Sequence, residues 1–179
     1  MNMQRYTGVA IGLHWLIGLM IVTSLGVGLY MVSLSLSPDK LRLYSWHKWA
    51  GVTIFMLVLV RSLWRLTHPA PPLPDDVPVW QRKVAEATHY ALYALMIVIP
   101  LTGWLMSSAK GFQTVYFGVV PIPDLLAKNE GLGETLALVH RYLNYSMIGL
   151  VIAHIAAALK HHFIDKDDIL RRMLPARHK

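Results

Sequence analysis

The chain has 179 residues, 55% of them hydrophobic and only 15% charged, with a mean hydropathy of +0.43. A soluble domain carries about 25% charged residues, so this composition belongs to an integral membrane protein. The absence of cysteine excludes disulfides, thiolate metal sites, iron–sulfur clusters and covalently attached c-type haem. The formal net charge of +7 is what cytoplasmic loops facing anionic lipid produce, and a nucleic-acid partner is not needed to explain it.

Four apolar runs follow one another, at 8–33, 46–66, 90–108 and 135–159. Each has the roughly 20 residues that cross about 30 Å of hydrocarbon as a helix. The first run is too long for a signal-peptide core and lacks a small-residue cleavage site after it, so it is expected to be a retained span. Arg61 falls inside the second run, near its end, and is expected to snorkel to the interface. The connection at 35–44 is short and polar. The one at 68–78, HPAPPLPDDVP, is proline-rich and cannot be helical throughout. The stretch 110–133 is longer and mixed, and its FQTVYFGVVPIP portion is expected to lie along the interface. The predicted fold is all-α: one transmembrane domain over 1–179, a four-transmembrane-helix bundle.

Four spans put both termini on one side, together with the loop between spans two and three. Of seventeen basic residues, Lys40, Arg42, Lys48, Lys110, Lys128 and Arg141 fall on the opposite side, and the other eleven share the side of the termini. The positive-inside rule therefore predicts cytoplasmic termini.

The histidines carry the chemistry. His140 and His154 are fourteen residues apart on the fourth span, which returns them to within roughly 40° of one face and separates them by about 21 Å. Under the predicted topology His47 matches His140 in depth near the outer side, and His14 matches His154 near the inner side. This gives two bis-histidine sites stacked in one bundle, the arrangement that holds b-type haem iron between facing helices. A single histidine on an apolar helix is as readily a satisfied core group or an interhelical hydrogen-bond partner. Zinc or copper competes less well, because each site offers two ligands where a bare metal wants three or four. Gly26, Gly28, Gly51, Gly103 and Gly149 leave room for a flat macrocycle but equally suit helix packing. Trp15, Trp46, Trp49, Trp64 and Trp104 sit near span ends, as interfacial belt residues do.

Further histidines gather at the inner end. His89 opens the third span, and His161 lies two turns beyond His154, inward-facing if the helix continues. His162 would point about 100° away, toward headgroups or water. Such groups donate hydrogen bonds and exchange protons near neutral pH, but interfacial histidines do the same without function. The basic, amphipathic stretch 166–179 reads as an anchor on anionic lipid, and His68 and His178 as solvent-facing.

Several segments together resemble the bacterial cytochrome b561 family of small dihaem membrane proteins. They are His14–Trp15, HKWAG from His47, RLTHPAPP from Arg65, HYALYALMIVIPLTGW from His89 and HHFIDKDDILRRMLP from His161 to Pro175. Their order and spacing cover essentially the whole chain. The resemblance implies a multi-pass protein of the bacterial inner membrane with two non-covalent haem b groups. His14 with His154 and His47 with His140 would be the axial ligands of their iron. Within the family the pattern is most like the superoxide oxidases, which implies oxidation of periplasmic superoxide and reduction of ubiquinone, with His89 and His161 near the quinone.

A basic outer mouth would attract superoxide, and Arg42, Lys48 and Arg141 suit that role, with Lys48 and Arg141 directly following His47 and His140. Asp39, Asp124, Glu130 and Glu134 share that side and weaken the field. Two other functions stay open. One is a cytochrome b subunit serving a partner dehydrogenase or hydrogenase; the other is a haem- or metal-binding membrane protein without turnover.

Overall fold

A computed structural model describes residues 5–72 and 77–175. His178, the last four residues of the basic tail and 73–76 of the proline-rich connection lie outside the described residues. Four long helices make up most of the chain: α1 Gly8–Ser33, α2 Pro38–Thr67, α3 Val79–Ala109 and α4 Glu130–Lys160. All four are long and apolar enough to cross a membrane. α1 matches its apolar run, but the other three begin earlier than theirs.

Local capping explains the earlier starts. The Ser37 side chain accepts from Lys40 N at 3.2 Å, Pro38 follows in the first turn, and Asp39 complements the helix dipole there. Most of the expected 35–44 loop is therefore helix. α3 starts at Val79 directly after Pro78, and Asn129 caps α4 through Leu132 N at 3.0 Å. Hydrophobicity marks where a helix meets lipid, whereas its caps decide where it begins, so polar turns project beyond the apolar runs.

The 110–129 connection contains a small antiparallel hairpin, Val115–Tyr116 with Val120–Pro121. It is the only strand pairing among the described residues. Its turn takes positive φ at Phe117 (50°) and Gly118 (72°), a conformation that glycine tolerates and that closes a tight reversal. Side chains of the helices hold the connection down. Lys48 Nζ donates to Phe112 O at 2.9 Å, Trp49 Nε1 to Val115 O at 2.7 Å and Trp104 Nε1 to Pro123 O at 3.0 Å, while the Thr53 hydroxyl meets Tyr116 Oη at 2.8 Å. It caps the end of the bundle opposite the termini.

In the bundle α1 packs on α2, α3 on α4, and α2 joins the two pairs through α3, while α4 approaches the backbones of α1 and α2 only lightly. The tightest core joins Ile17 of α1 to Ile54 and Val58 of α2, with Tyr93, Met96 and Ile97 of α3 against it. Most other large apolar side chains face outward, as lipid contact requires.

One expectation changes here. Arg61 does not snorkel: its Nε donates to Tyr93 Oη at 2.9 Å and its Nη1 to Ala10 O at 2.6 Å, tying three helices together. α4 passes into a π-helical turn at His161–Asp165 and, further on, a 3-10 turn at Arg171–Met173. This stretch docks on the bundle, taking Trp15 Nε1 on Met173 O at 2.7 Å and the Arg5 guanidinium on Leu174 O.

Val58 is fully buried at the α1–α2–α3 junction. Val58→Ala is expected to cost about 2 kcal/mol through lost contacts and a residual cavity. The check is a lowered thermal midpoint in detergent with unchanged helix content.

Candidate functional site

α4 positions two histidines, and each meets one from another helix. The rings of His47 (α2) and His140 have centroids 6.5 Å apart at 87°, and those of His14 (α1) and His154 lie 6.1 Å apart at 68°. These pairs join the helices whose backbones stay apart, α2 with α4 and α1 with α4. All four residues are half-buried.

The pair nearer the hairpin is braced on both sides. The Thr102 hydroxyl and the Ile99 carbonyl each lie 3.1 Å from His140 Nδ1. A carbonyl only accepts, so Nδ1 carries the proton and Nε2 keeps its lone pair, which is the form that ligates a metal. Ser24 Oγ lies 3.2 Å from Nδ1 of His47 and steadies that ring, although a hydroxyl, which can donate or accept, does not set its tautomer. Two glycines press on the rings: a Cβ at Gly28 would sit 3.2 Å from His47 Cε1, and one at Gly103 would sit 3.1 Å from His140 Cε1. Of the glycines noted in the sequence, these two have a packing duty toward an imidazole.

The pair nearer the termini has different neighbours. His89 of α3 brings its ring within 5.5 Å of His154. His161 stands apart from this group, in the π turn, where its Nδ1 lies 2.6 Å from Asp167 Oδ2 and 3.2 Å from Asp165 Oδ2. It lines a cleft of about 250 Å³ with Val77, Pro78, Gln81 and the two aspartates, and His89 is not part of that lining. His162 is half-buried, and its Nδ1 has no hydrogen-bond partner among the described residues. His68 is exposed and stacks on Trp64 at 4.0 Å.

The three basic side chains at the opposite end differ in state. Arg42 pairs with Asp39 at 3.4 Å, Lys48 is held by the Phe112 carbonyl, and Arg141 is exposed beside His140. Ser24, Thr102, Ile99, Tyr93 and Asp167 were not singled out from the sequence. Hydroxyls and lone charged groups in apolar helices give a weak signal, and only the helix pairing assigns them partners.

Two imidazole nitrogens sharing one iron need ring centroids roughly 6 Å apart, because each bond is about 2 Å and each ring adds its own radius. Both pairs meet that spacing. Together with the cradling glycines and the Nδ1 contacts at the hairpin end, they fit a planar macrocycle held by two axial histidines. Fold and site thus define a four-span membrane protein of the cytochrome b class.

The comparisons narrow the class. Residues 5–176 match the family model for prokaryotic cytochrome b561. Cytochrome b561 homolog 2 of Escherichia coli K12 is 37% identical, covering 96% of this chain and 92% of that protein. The probable superoxide oxidase CybB of Yersinia pestis is 31% identical (96% and 97%), and cytochrome b561 homolog 1 of E. coli K12 is 29% identical (98% and 99%). The chain belongs to the prokaryotic cytochrome b561 family of membrane electron-transfer proteins, an oxidoreductase-type family, and membership implies b-type haem.

Gly28→Val and Gly103→Val are each expected to push an imidazole aside and reduce bound haem, whereas Gly8→Ala, with open space around it, retains it. Haem-to-protein ratios of the purified variants check this; full haem content in both valine variants would remove the cradle from the argument.

Proposed function

We propose that the chain is a single domain over 1–179 that holds two non-covalent haem b groups. One lies between His14 and His154 and the other between His47 and His140. The observation that carries this reading is the pair of imidazole–imidazole spacings, 6.1 and 6.5 Å, at opposite ends of one membrane-spanning helix. When bound, the haems supply one-electron carriage from one face of the membrane to the other. The protein holds the ligands in place, fixes the tautomer of His140 and keeps the path in a low-dielectric core.

The reaction assigned is oxidation of superoxide to dioxygen and reduction of ubiquinone. Two superoxide anions each give up one electron, and the quinone takes those two electrons with two protons. Support for superoxide comes from similarity to a protein named probable superoxide oxidase. The excess of basic residues on the side of the termini supports cytoplasmic termini in the bacterial inner membrane, with the hairpin end facing the periplasm. There Lys48 and Arg141 stand directly after His47 and His140. Lys48 donates to a neutral carbonyl with Asp124 nearby, and Asp39 pairs with Arg42, so the attraction of an anion rests on the basic residues of this end together.

For ubiquinone, the cleft at His161 supports an inner site. Asp167 orients the His161 ring, and an imidazole so held offers Nε2 to a quinone carbonyl and passes a proton to it. His89, against His154, is the second candidate there.

His47→Ala and His140→Ala should remove the same haem, and His14→Ala and His154→Ala the other. Loss of a common haem in His47→Ala and His154→Ala would break the pairing. Mixing the oxidised protein with superoxide in a stopped-flow spectrometer should give fast haem reduction that reverses when ubiquinone is present. The rate should fall with added salt and in Lys48→Ala. Normal bis-histidine spectra without fast reduction would reject superoxide, and a protein that co-purifies one to one would then mark the chain as a subunit of a larger oxidoreductase.

A further inference from the structure

Arg61 stands inside the hydrophobic span of α2 at the level of the His14/His154 pair. His14 lies six residues into α1, Arg61 six before the end of α2, and His154 six before the end of α4. The guanidinium is half-buried and donates to two neutral acceptors, Tyr93 Oη at 2.9 Å and the Ala10 carbonyl at 2.6 Å. Ala10 precedes His14 by one helical turn on the same face of α1. Among the described residues every ion pair involves another cation, so no carboxylate neutralises Arg61. Arg65, one turn further along α2, sets its guanidinium 5.9 Å from the Tyr93 ring centre and adds a second positive charge.

An ionised group inside a membrane span is costly unless it is paired, and hydrogen bonds to a hydroxyl and a carbonyl do not cancel its charge. Arginine also presents a planar fork that matches a carboxylate, and two neutral contacts leave part of the fork free. The missing partner is an anion at the level of the histidine pair. Haem b carries two carboxylates on its propionate arms.

We infer that Arg61, held by Tyr93 and seconded by Arg65, is the carboxylate-anchoring site for a propionate of the haem at His14/His154. The inference rests on the haem reading above. The anchor fixes which edge of the macrocycle faces α2. It also gives the two haems unlike electrostatic surroundings, because a cation beside the ring disfavours the more positive oxidised state and raises the reduction potential. A phospholipid phosphate offers the same anionic chemistry, so the test separates the two sources.

The experiment uses the purified dihaem protein carrying haem labelled with 13C at the propionate carboxyls. Redox-difference infrared spectra and a potentiometric titration are recorded for wild type, Arg61→Gln, Arg61→Lys and Tyr93→Phe. The labelled carboxylate bands should shift in Arg61→Gln and the potential of one haem should fall, while Arg61→Lys keeps most of both signatures. If Arg61→Gln does not fold, Tyr93→Phe, which frees the guanidinium without removing its charge, should still move the carboxylate bands.

Unchanged bands and potentials in Arg61→Gln at full haem content would overturn the inference. So would unchanged bands accompanied by loss of a tightly bound phospholipid, which assigns the anion to lipid. A His154→Ala variant that keeps both haems would instead overturn the parent reading, so the two failures are distinguishable.

Discussion

Imidazoles in hydrocarbon need partners, and here α4 carries two of them on one face, near opposite ends. Each must be met by a group from another helix, and that requirement fixes what can lie opposite α4 at two depths. His14 and His47 fill those positions from α1 and α2. The backbones of these helices must then stand off from α4, since two rings and the space between them have to fit. The close packing is accordingly found elsewhere, between α1 and α2 and between α3 and α4.

Support for the rings comes from the helices that pack closely. α1 gives Gly28 and Ser24 to His47, and α3 gives Gly103, Thr102 and the Ile99 carbonyl to His140. In each case a glycine lets the ring approach and a polar atom one residue or one turn away engages Nδ1. The two sites are not copies of one another. At the other pair a third histidine, an arginine and a tyrosine crowd close, which makes that end the more strongly charged environment.

The two ends of the bundle are closed differently as well. The hairpin connection is pinned by lysine and tryptophan donors onto backbone carbonyls, so its polar groups are satisfied where irregular chain meets the membrane boundary. The end with the termini is closed by the C-terminal turn against Trp15 and Arg5, and His161 with its aspartates lies beside it.

Much of this was legible from residue order. Apolar run length fixes four spans because a helix must satisfy its own backbone in lipid, and a separation of fourteen residues places His140 and His154 on one face because helical geometry is constant. Helix beginnings were less legible: Ser37, Pro38 and Asn129 set them by capping, which hydropathy does not register. Arg61 was misjudged for another reason. A charged residue near the end of a span can snorkel or can bond inward, and the choice depends on whether another helix presents an acceptor there. Only the tertiary structure supplies Tyr93 and Ala10 to Arg61, Thr102 and Ile99 to His140, and an aspartate to His161. Composition and period act along one helix and can be read from the chain, whereas a hydrogen-bond partner from a distant segment exists only once the helices have packed.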